Sequence, residues 1–309
     1  MTRTDDDTWD ITESVGATAL MVAAARAAET ESAQPLFSDP FARVFLDAAG
    51  EGAWSMFDSS AVAGVDSELA ARMQALQDFF TSRTAFIDDF FVAAGDAAIR
   101  QVVILAAGLD ARAWRLAWPQ GTRVYELDQP KVLDFKSTTL RAHGAAPTAQ
   151  RIEVPVDLRQ DWPTALRQAG FDPQVPTAWS VEGLLRYLPS QAQDLLFERI
   201  HEMSAPGSRI VANAPTDDAN DPARSARERE LGQRLQTALG AQVAIQPLDV
   251  DELSYTEERT DIINWLAEHG WEASAATAPE VAARYGRGSD GTGEERSVPS
   301  FFVSGRRTR

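Results

Sequence analysis

VVILAAGLDAR, Val102–Arg112, joins an apolar run to a turn of small residues and then to a helix-prone segment. With Gln101 in front, Val102 to Leu105 has the near-continuous apolar character of a strand buried on both faces of a parallel sheet. Gly108 bounds it. The alanines and Gly108 let a ligand approach the backbone closely, and Ala111 stands where a dinucleotide fingerprint carries its third small residue. Small residues after a strand also make tight turns that bind nothing, so the stretch by itself sets architecture rather than function.

Working outward, the same rhythm recurs downstream. Arg123–Leu127, Arg151–Val156, Thr177–Val181 and Ser208–Asn213 read as strands with helical spacers between them, and a helix over Gln191–Met203 precedes the last. Strands alternating with helices predict an α/β sheet. Trp271–Thr277 and Ser300–Ser304 form a final pair around a Gly/Ser/Asp-rich loop at Gly286–Gly293, arranged for an antiparallel edge. Upstream, Ser14–Glu31 is Ala-rich and helix-prone. Asp39 before Pro40 fits a helix start running through Asp47. A long amphipathic helix is expected over Ser67–Ala94, with Leu69, Met73, Leu76, Phe80, Ile87 and Phe90 on one face. The charged helical pattern in 216–259, including Ala223–Leu239, reads as a lid or insertion. The chain is expected to form one domain: helical cover at 1–95, core at 96–215, lid at 216–259, and closing strands at 260–309.

Acids stand at three consecutive strand ends. Asp128 lies twenty residues beyond Gly108, the spacing at which a carboxylate accepts from ribose hydroxyls. The alternative is an exposed loop aspartate. Asp157, followed by Leu158, is placed for an adenine amino group with the leucine against the ring; the competing reading is a helix N-cap. Glu182 ends the Thr177 strand and is followed at once by glycine. Ligands of open parallel sheets bind outside the carboxyl ends of strands, so the three together outline a cleft for a nucleoside bearing positive charge. Arg83 falls in the apolar stripe of its helix, where a charge demands a partner anion. That anion is either a ligand carboxylate or a core acid in a structural salt bridge.

The bulk composition narrows the classes. The 309 residues are 44% hydrophobic and 24% charged, with no cysteine. Disulfide scaffolds and thiolate metal sites are excluded, and a reducing cytoplasm is the expected location. The acidic first ten residues do not read as a secretory signal, and no apolar run is long enough to span a membrane. A net charge of -17 disfavours nucleic acid as a partner. His143, His201 and His269 are scattered and read as surface residues, and no metal site is expected. No phosphate loop ending in Gly-Lys, Gly-x-Ser-x-Gly elbow or His-Glu-x-x-His is present.

With these residues in place, the chain resembles the leucine carboxyl methyltransferase family, in its bacterial, mycobacterial-type branch. The resemblance rests on several blocks in order: DPFA at Asp39–Ala42, SRTAFIDDF at Ser82–Phe90, VILAAGLDAR at Val103–Arg112, ELDQP at Glu126–Pro130, VDLR at Val156–Arg159, EGLLRYLP at Glu182–Pro189 and HGWE at His269–Glu272. It implies a Rossmann-like class I methyltransferase fold, a seven-stranded, mostly parallel sheet with helices on both faces and an antiparallel last strand. It implies S-adenosyl-L-methionine as cofactor, contacted at Arg83, Gly108, Asp128, Asp157, Leu158 and Glu182. In that scheme Arg83 holds the methionine carboxylate, Asp128 the ribose, and Asp157 and Leu158 the adenine. Glu182 and Tyr187 lie nearest the expected methyl position. The family name implies a carboxylate acceptor on a small molecule or peptide. One departure is Ala106, where relatives usually carry glycine. A nicotinamide-dependent oxidoreductase shares the glycine turn and the ribose acid but leaves Arg83 without a role. A protein that binds the cofactor without turnover is the third alternative.

Overall fold

The computed structural model describes residues 14–50, 66–216, 219, 221–239, 254–255, 257–288 and 298–309. At its centre is β1 (Gln101–Leu105), all five residues of which are buried. Consecutive side chains of a strand point to opposite faces. Accordingly Val102 and Ile104 enter one hydrophobic cluster and Val103 and Leu105 the other. That two-sided burial is why the stretch reads as unbroken hydrophobicity.

Around β1 the sheet adds β2 (Arg123–Asp128), β3 (Gln150–Pro155), β4 (Thr177–Val181), β5 (Arg209–Pro215), β6 (Trp271–Thr277) and β7 (Ser300–Arg307), in the order β3-β2-β1-β4-β5-β7-β6. The first five are parallel, and β7 is antiparallel to both β5 and β6. The expected strands are all present, with no end shifted by more than three residues, and the antiparallel pair lies at the β6 edge. The order reverses between β1 and β4, so the crevice of an open α/β sheet falls at their carboxyl ends.

The N-terminal helices α1 (Ser14–Thr30), α2 (Pro40–Ala49) and α3 (Ser67–Asp96) pack with α4 (Arg112–Arg115) and α5 (Pro130–Ala142) on one face. The other face carries α6 (Trp162–Gln168), α7 (Ser190–Glu202) and α9 (Ile262–Glu268). Two further helices are α8 (Pro222–Leu239) and α10 (Ala278–Arg284). Local capping chemistry sets several helix starts. Asp39 accepts from the Phe41 and Ala42 amides with Pro40 in the first turn, Asp66 caps α3, and Thr277 with Glu280 forms a capping box on α10.

Two expectations need correction. The inner face of α3 is not the simple stripe of the sequence reading: Phe79 and Phe91 are buried while Phe80 and Phe90 are only half-buried. Residues Thr81–Ala85 are all buried because α1 and the sheet pack on different sides of the helix. The histidines are not scattered either. His143 is exposed, but His201 and His269 lie with ring centroids 5.5 Å apart. His269 stacks on Trp265 at 3.8 Å, and Trp271 donates to His201 Nδ1. Burial, Arg307 and His269 hold His201 below its ordinary pKa. Of the expected lid at 216–259, α8 is described, whereas 217, 218, 220, 240–253 and 256 lie outside the described residues, as do 289–297 of the Gly286–Gly293 loop. No described helix is long and apolar enough to cross a membrane.

Candidate functional site

A cavity of about 650 Å³ opens at the carboxyl ends of β1 to β4, walled on one side by α1. Its floor is the turn Ala106–Ala111, whose polar groups are held from four directions. Asp128 Oδ2 accepts from the Gly108 amide at 2.7 Å, and Oδ1 from Gln129 at 2.7 Å. Arg26 of α1 donates to the Leu109 carbonyl at 2.7 Å, and Lys136 of α5 to that of Asp110 at 2.9 Å. Arg112 donates its amide to Asp110 Oδ1. Gly108 takes φ +45°, and a Cβ there would meet the Ala19 methyl at 3.5 Å. The positive φ therefore favours glycine here, whereas a methyl group would make only ordinary van der Waals contact.

All the sequence-selected residues line this one cavity: Arg83, Gly108, Asp128, Asp157, Leu158 and Glu182, with Tyr187 beside them. Burial raises the Asp128 carboxyl above its ordinary pKa and outweighs the two amides it accepts from. Asp157 does not cap the following helix, because Asp161 does that. Instead Asp157 accepts from the Arg159 amide and guanidinium at 2.6–3.1 Å. Burial raises its pKa, but these bonds from Arg159 prevail and bring it down. Leu158 is half-buried against the second core cluster.

Arg83 differs most from expectation. Of the two partners its position allows, a ligand carboxylate or a core acid, the structure supplies an acid that is itself in the cavity. Arg83 Nε donates to Glu182 Oε1 at 2.9 Å, with the guanidinium over the Phe79 and Phe80 rings. Arg83 is thus charge-compensated from within the protein. Its two terminal nitrogens, however, find no hydrogen-bond acceptor among the described residues. They sit beside Gly183, at 3.7 and 3.9 Å from where a Cβ would stand.

Sequence reasoning missed the residues that support these. Arg26, Asp110, Gln129 and Tyr255 also line the cavity, and Arg112 lies just behind it, 1% exposed. Asp110 and Arg112 stand inside the stretch that decided the fold. Their alternation with small residues was visible, but Arg112's other partners, Asp88 and Glu182, come from distant elements. Among the described residues no group of three or more potential ligands is placed to hold a metal.

A leucine carboxyl methyltransferase family model matches residues 19–201. A protein of Mycolicibacterium paratuberculosis is 58% identical over 311 residues, covering 99% of each chain. One of Mycobacterium tuberculosis has the same identity and coverage. Both names begin "Putative S-adenosyl-L-methionine-dependent methyltransferase". The chain belongs to the leucine carboxyl methyltransferase family. A solved structure of a duf574 family protein from Streptomyces avermitilis, 16% identical and covering 91% of this chain and 99% of its own, shares the fold with a TM-score of 0.52. The sheet is the Rossmann-like class I methyltransferase arrangement. The leucine carboxyl methyltransferase match takes in α2 to α6 and β1 to β4 entire, hence every sequence-selected residue of the cavity, and stops before β5.

Proposed function

We propose that this S-adenosyl-L-methionine-dependent methyltransferase O-methylates a carboxylate on a small molecule or peptide. The observation that carries the cofactor assignment is the pairing of two features in one cavity. Asp128 stands beside the Gly108 turn, and Arg83, whose two terminal nitrogens find no acceptor among the described residues, lines the same cavity. A nucleoside at one end and a free amino-acid carboxylate at the other satisfy both. Asp128 accepts from the ribose hydroxyls, since each oxygen keeps a lone pair beyond its amide bond. Leu158 and the Asp157 region receive the adenine. The Arg83 fork takes the methionine carboxylate by paired, charge-assisted bonds. A nicotinamide cofactor leaves that fork unused.

When bound, the cofactor supplies an electrophilic methyl on a sulfonium. The acceptor carboxylate is ionised at neutral pH and requires no general base. The chain's contribution is alignment and exclusion of water, effects that reach about 7–11 kcal/mol in well-oriented reactions. Tyr187 and Tyr255, with Leu188 and the α1 residues Thr18 and Val22, are part of the cavity wall available to the acceptor. The net charge of -17 keeps nucleic acid an improbable acceptor.

Calorimetric titration tests the cofactor. S-adenosylmethionine and S-adenosylhomocysteine are expected to bind and NAD(P) not, with Asp128→Ala weakening the former by about 1.5–3 kcal/mol. Preference for a nicotinamide cofactor overturns the assignment. For the acceptor, label transferred from S-adenosylmethionine in a cell extract is expected to leave as methanol on mild alkali, as a methyl ester does. Alkali-stable label excludes the carboxylate, and no transfer at all points to a binding protein without turnover.

A further inference from the structure

A chain of buried charges runs back from the cavity: Arg83, Asp110 and Glu182 reach its wall, and Arg112, Asp88 and Arg115 lie behind them. Arg112 is its hub. Its Nε donates to Asp88 of α3 at 2.6 Å, and Nη1 to Asp110 and, at 2.8 Å, to Glu182 Oε2. Nη2 donates to the Thr84 carbonyl. One side chain thus ties α3, the β1 turn and the end of β4 together. Arg115 closes the set on Asp88. Three arginines (83, 112, 115) face three acids (Asp88, Asp110, Glu182), so the formal charges of the group balance.

The division of Glu182 matters most. Oε1 takes Arg83 Nε and Oε2 takes Arg112 Nη1. A guanidinium is rigid and planar, so holding Nε on one fixed oxygen sets the plane of Arg83, a cavity-lining residue, and leaves both terminal nitrogens without an acceptor among the described residues. Because Arg112 occupies the second oxygen, Glu182 cannot swing round to grip the Arg83 fork with both. A carboxylate and a guanidinium left alone favour that bidentate arrangement, which would cover the nitrogens a ligand needs.

We propose that Arg112 is a positioning residue for the carboxylate end of the cofactor: by holding one oxygen of Glu182, it keeps the Arg83 fork open and aimed. The inference rests on the reading that Arg83 receives the methionine carboxylate. Arg112 is not among the residues lining the cavity, so its effect on binding passes through Glu182.

The test compares S-adenosylhomocysteine, which has the amino-acid carboxylate, with 5′-methylthioadenosine, which lacks it. Arg112→Gln is expected to weaken S-adenosylhomocysteine about tenfold or more and leave methylthioadenosine unchanged. Adding Glu182→Gln to that variant should restore part of the loss, because the competing carboxylate is gone. Arg83→Lys serves as the control for the underlying reading. If Arg83→Lys binds both ligands normally, the carboxylate clamp fails and the positioning role with it. If Arg83→Lys is selectively weakened but Arg112→Gln is not, the clamp stands and the positioning role is refuted. Equal weakening of both ligands by Arg112→Gln, or a double variant no better than the single, assigns Arg112 a structural role only. Should Arg112→Gln not fold, Arg112→Lys retains charge without the multiple nitrogens and is read with the same two ligands.

Discussion

Ala106 takes φ +52° at the exit of β1, in the left-handed region where a methyl group crowds the following carbonyl. The turn tolerates this because its neighbours are over-determined: the Ala107 amide bonds to Leu127, and that of Gly108 to Asp128. Removing the methyl relieves about 1–2 kcal/mol of conformational strain and costs about 0.5–1 kcal/mol in unfolded-chain entropy. Ala106→Gly should therefore raise stability by roughly 0.5–1 kcal/mol in chemical denaturation. A lower midpoint would mean that packing of the Ala106 methyl against the second core cluster outweighs the strain. The same position illustrates a limit of reading residues singly, since nothing in AAGLDAR distinguishes which alanine turns left-handed.

Helix α8 sits differently on the molecule from the helices of the sheet. Leu231 is the only buried hydrophobic among its described side chains. Its link to α3 is ionic: Arg72–Glu228 at 2.8 Å, Arg234 to Asp66 and Glu68 at 2.6 and 2.7 Å, and Arg227–Glu68 at 3.3 Å. Most of these groups are more than a third exposed, and such pairs contribute little and are screened by salt. Amides of α8 should exchange faster than those of β1 and β4, and faster again in 0.5 M salt (about a 4 Å screening length). Protection equal to the sheet's, insensitive to salt, would place α8 in the rigid core. The charged pattern of 222–239 was legible as a helix. That it rests on α3 through ion pairs was not, because its partners lie some 160 residues earlier.

For the molecule as a whole, the buried ion network sets how stability responds to acid. Burial pushes Asp110 up, but Arg112, Lys136 and Arg26 overcome it and bring its pKa down to about 2. Burial also raises Glu182, and Arg112 and Arg83 bring it below its ordinary value. Carboxylates depressed in the folded state bind fewer protons there than in the unfolded chain, so stability rises with pH through that window. The contribution is complete above about pH 4, the unfolded carboxylate range, and is lost as pH falls toward about 2, where Asp110 takes up its proton. Denaturant midpoints measured across this range should fall steeply for the natural chain. The slope should flatten for Arg112→Gln, in which both acids lose their shared cation. An unchanged slope would mean that other carboxylates dominate the acid response.

What the sequence determined by itself was whatever local pattern can encode. Alternating strand and helix composition placed seven strands. Capping chemistry at Asp39 placed a helix start. The twenty-residue interval from Gly108 to Asp128 placed the acid at the neighbouring strand end, since parallel pairing of Leu105 with Leu127 brings those two ends level. Position in an apolar helix stripe showed that Arg83 required an anion. Only the tertiary structure decided which one: Glu182, 99 residues away in sequence, shared with an arginine from the fold-deciding stretch itself. Burial of Glu126 in mid-strand, paired with Lys136 and Arg151, and the meeting of His201 with His269 were decided in the same way. The physical reason is common to all three. A buried charge or ring declares locally that it needs a partner, whereas the identity of that partner depends on which elements the sheet order brings together.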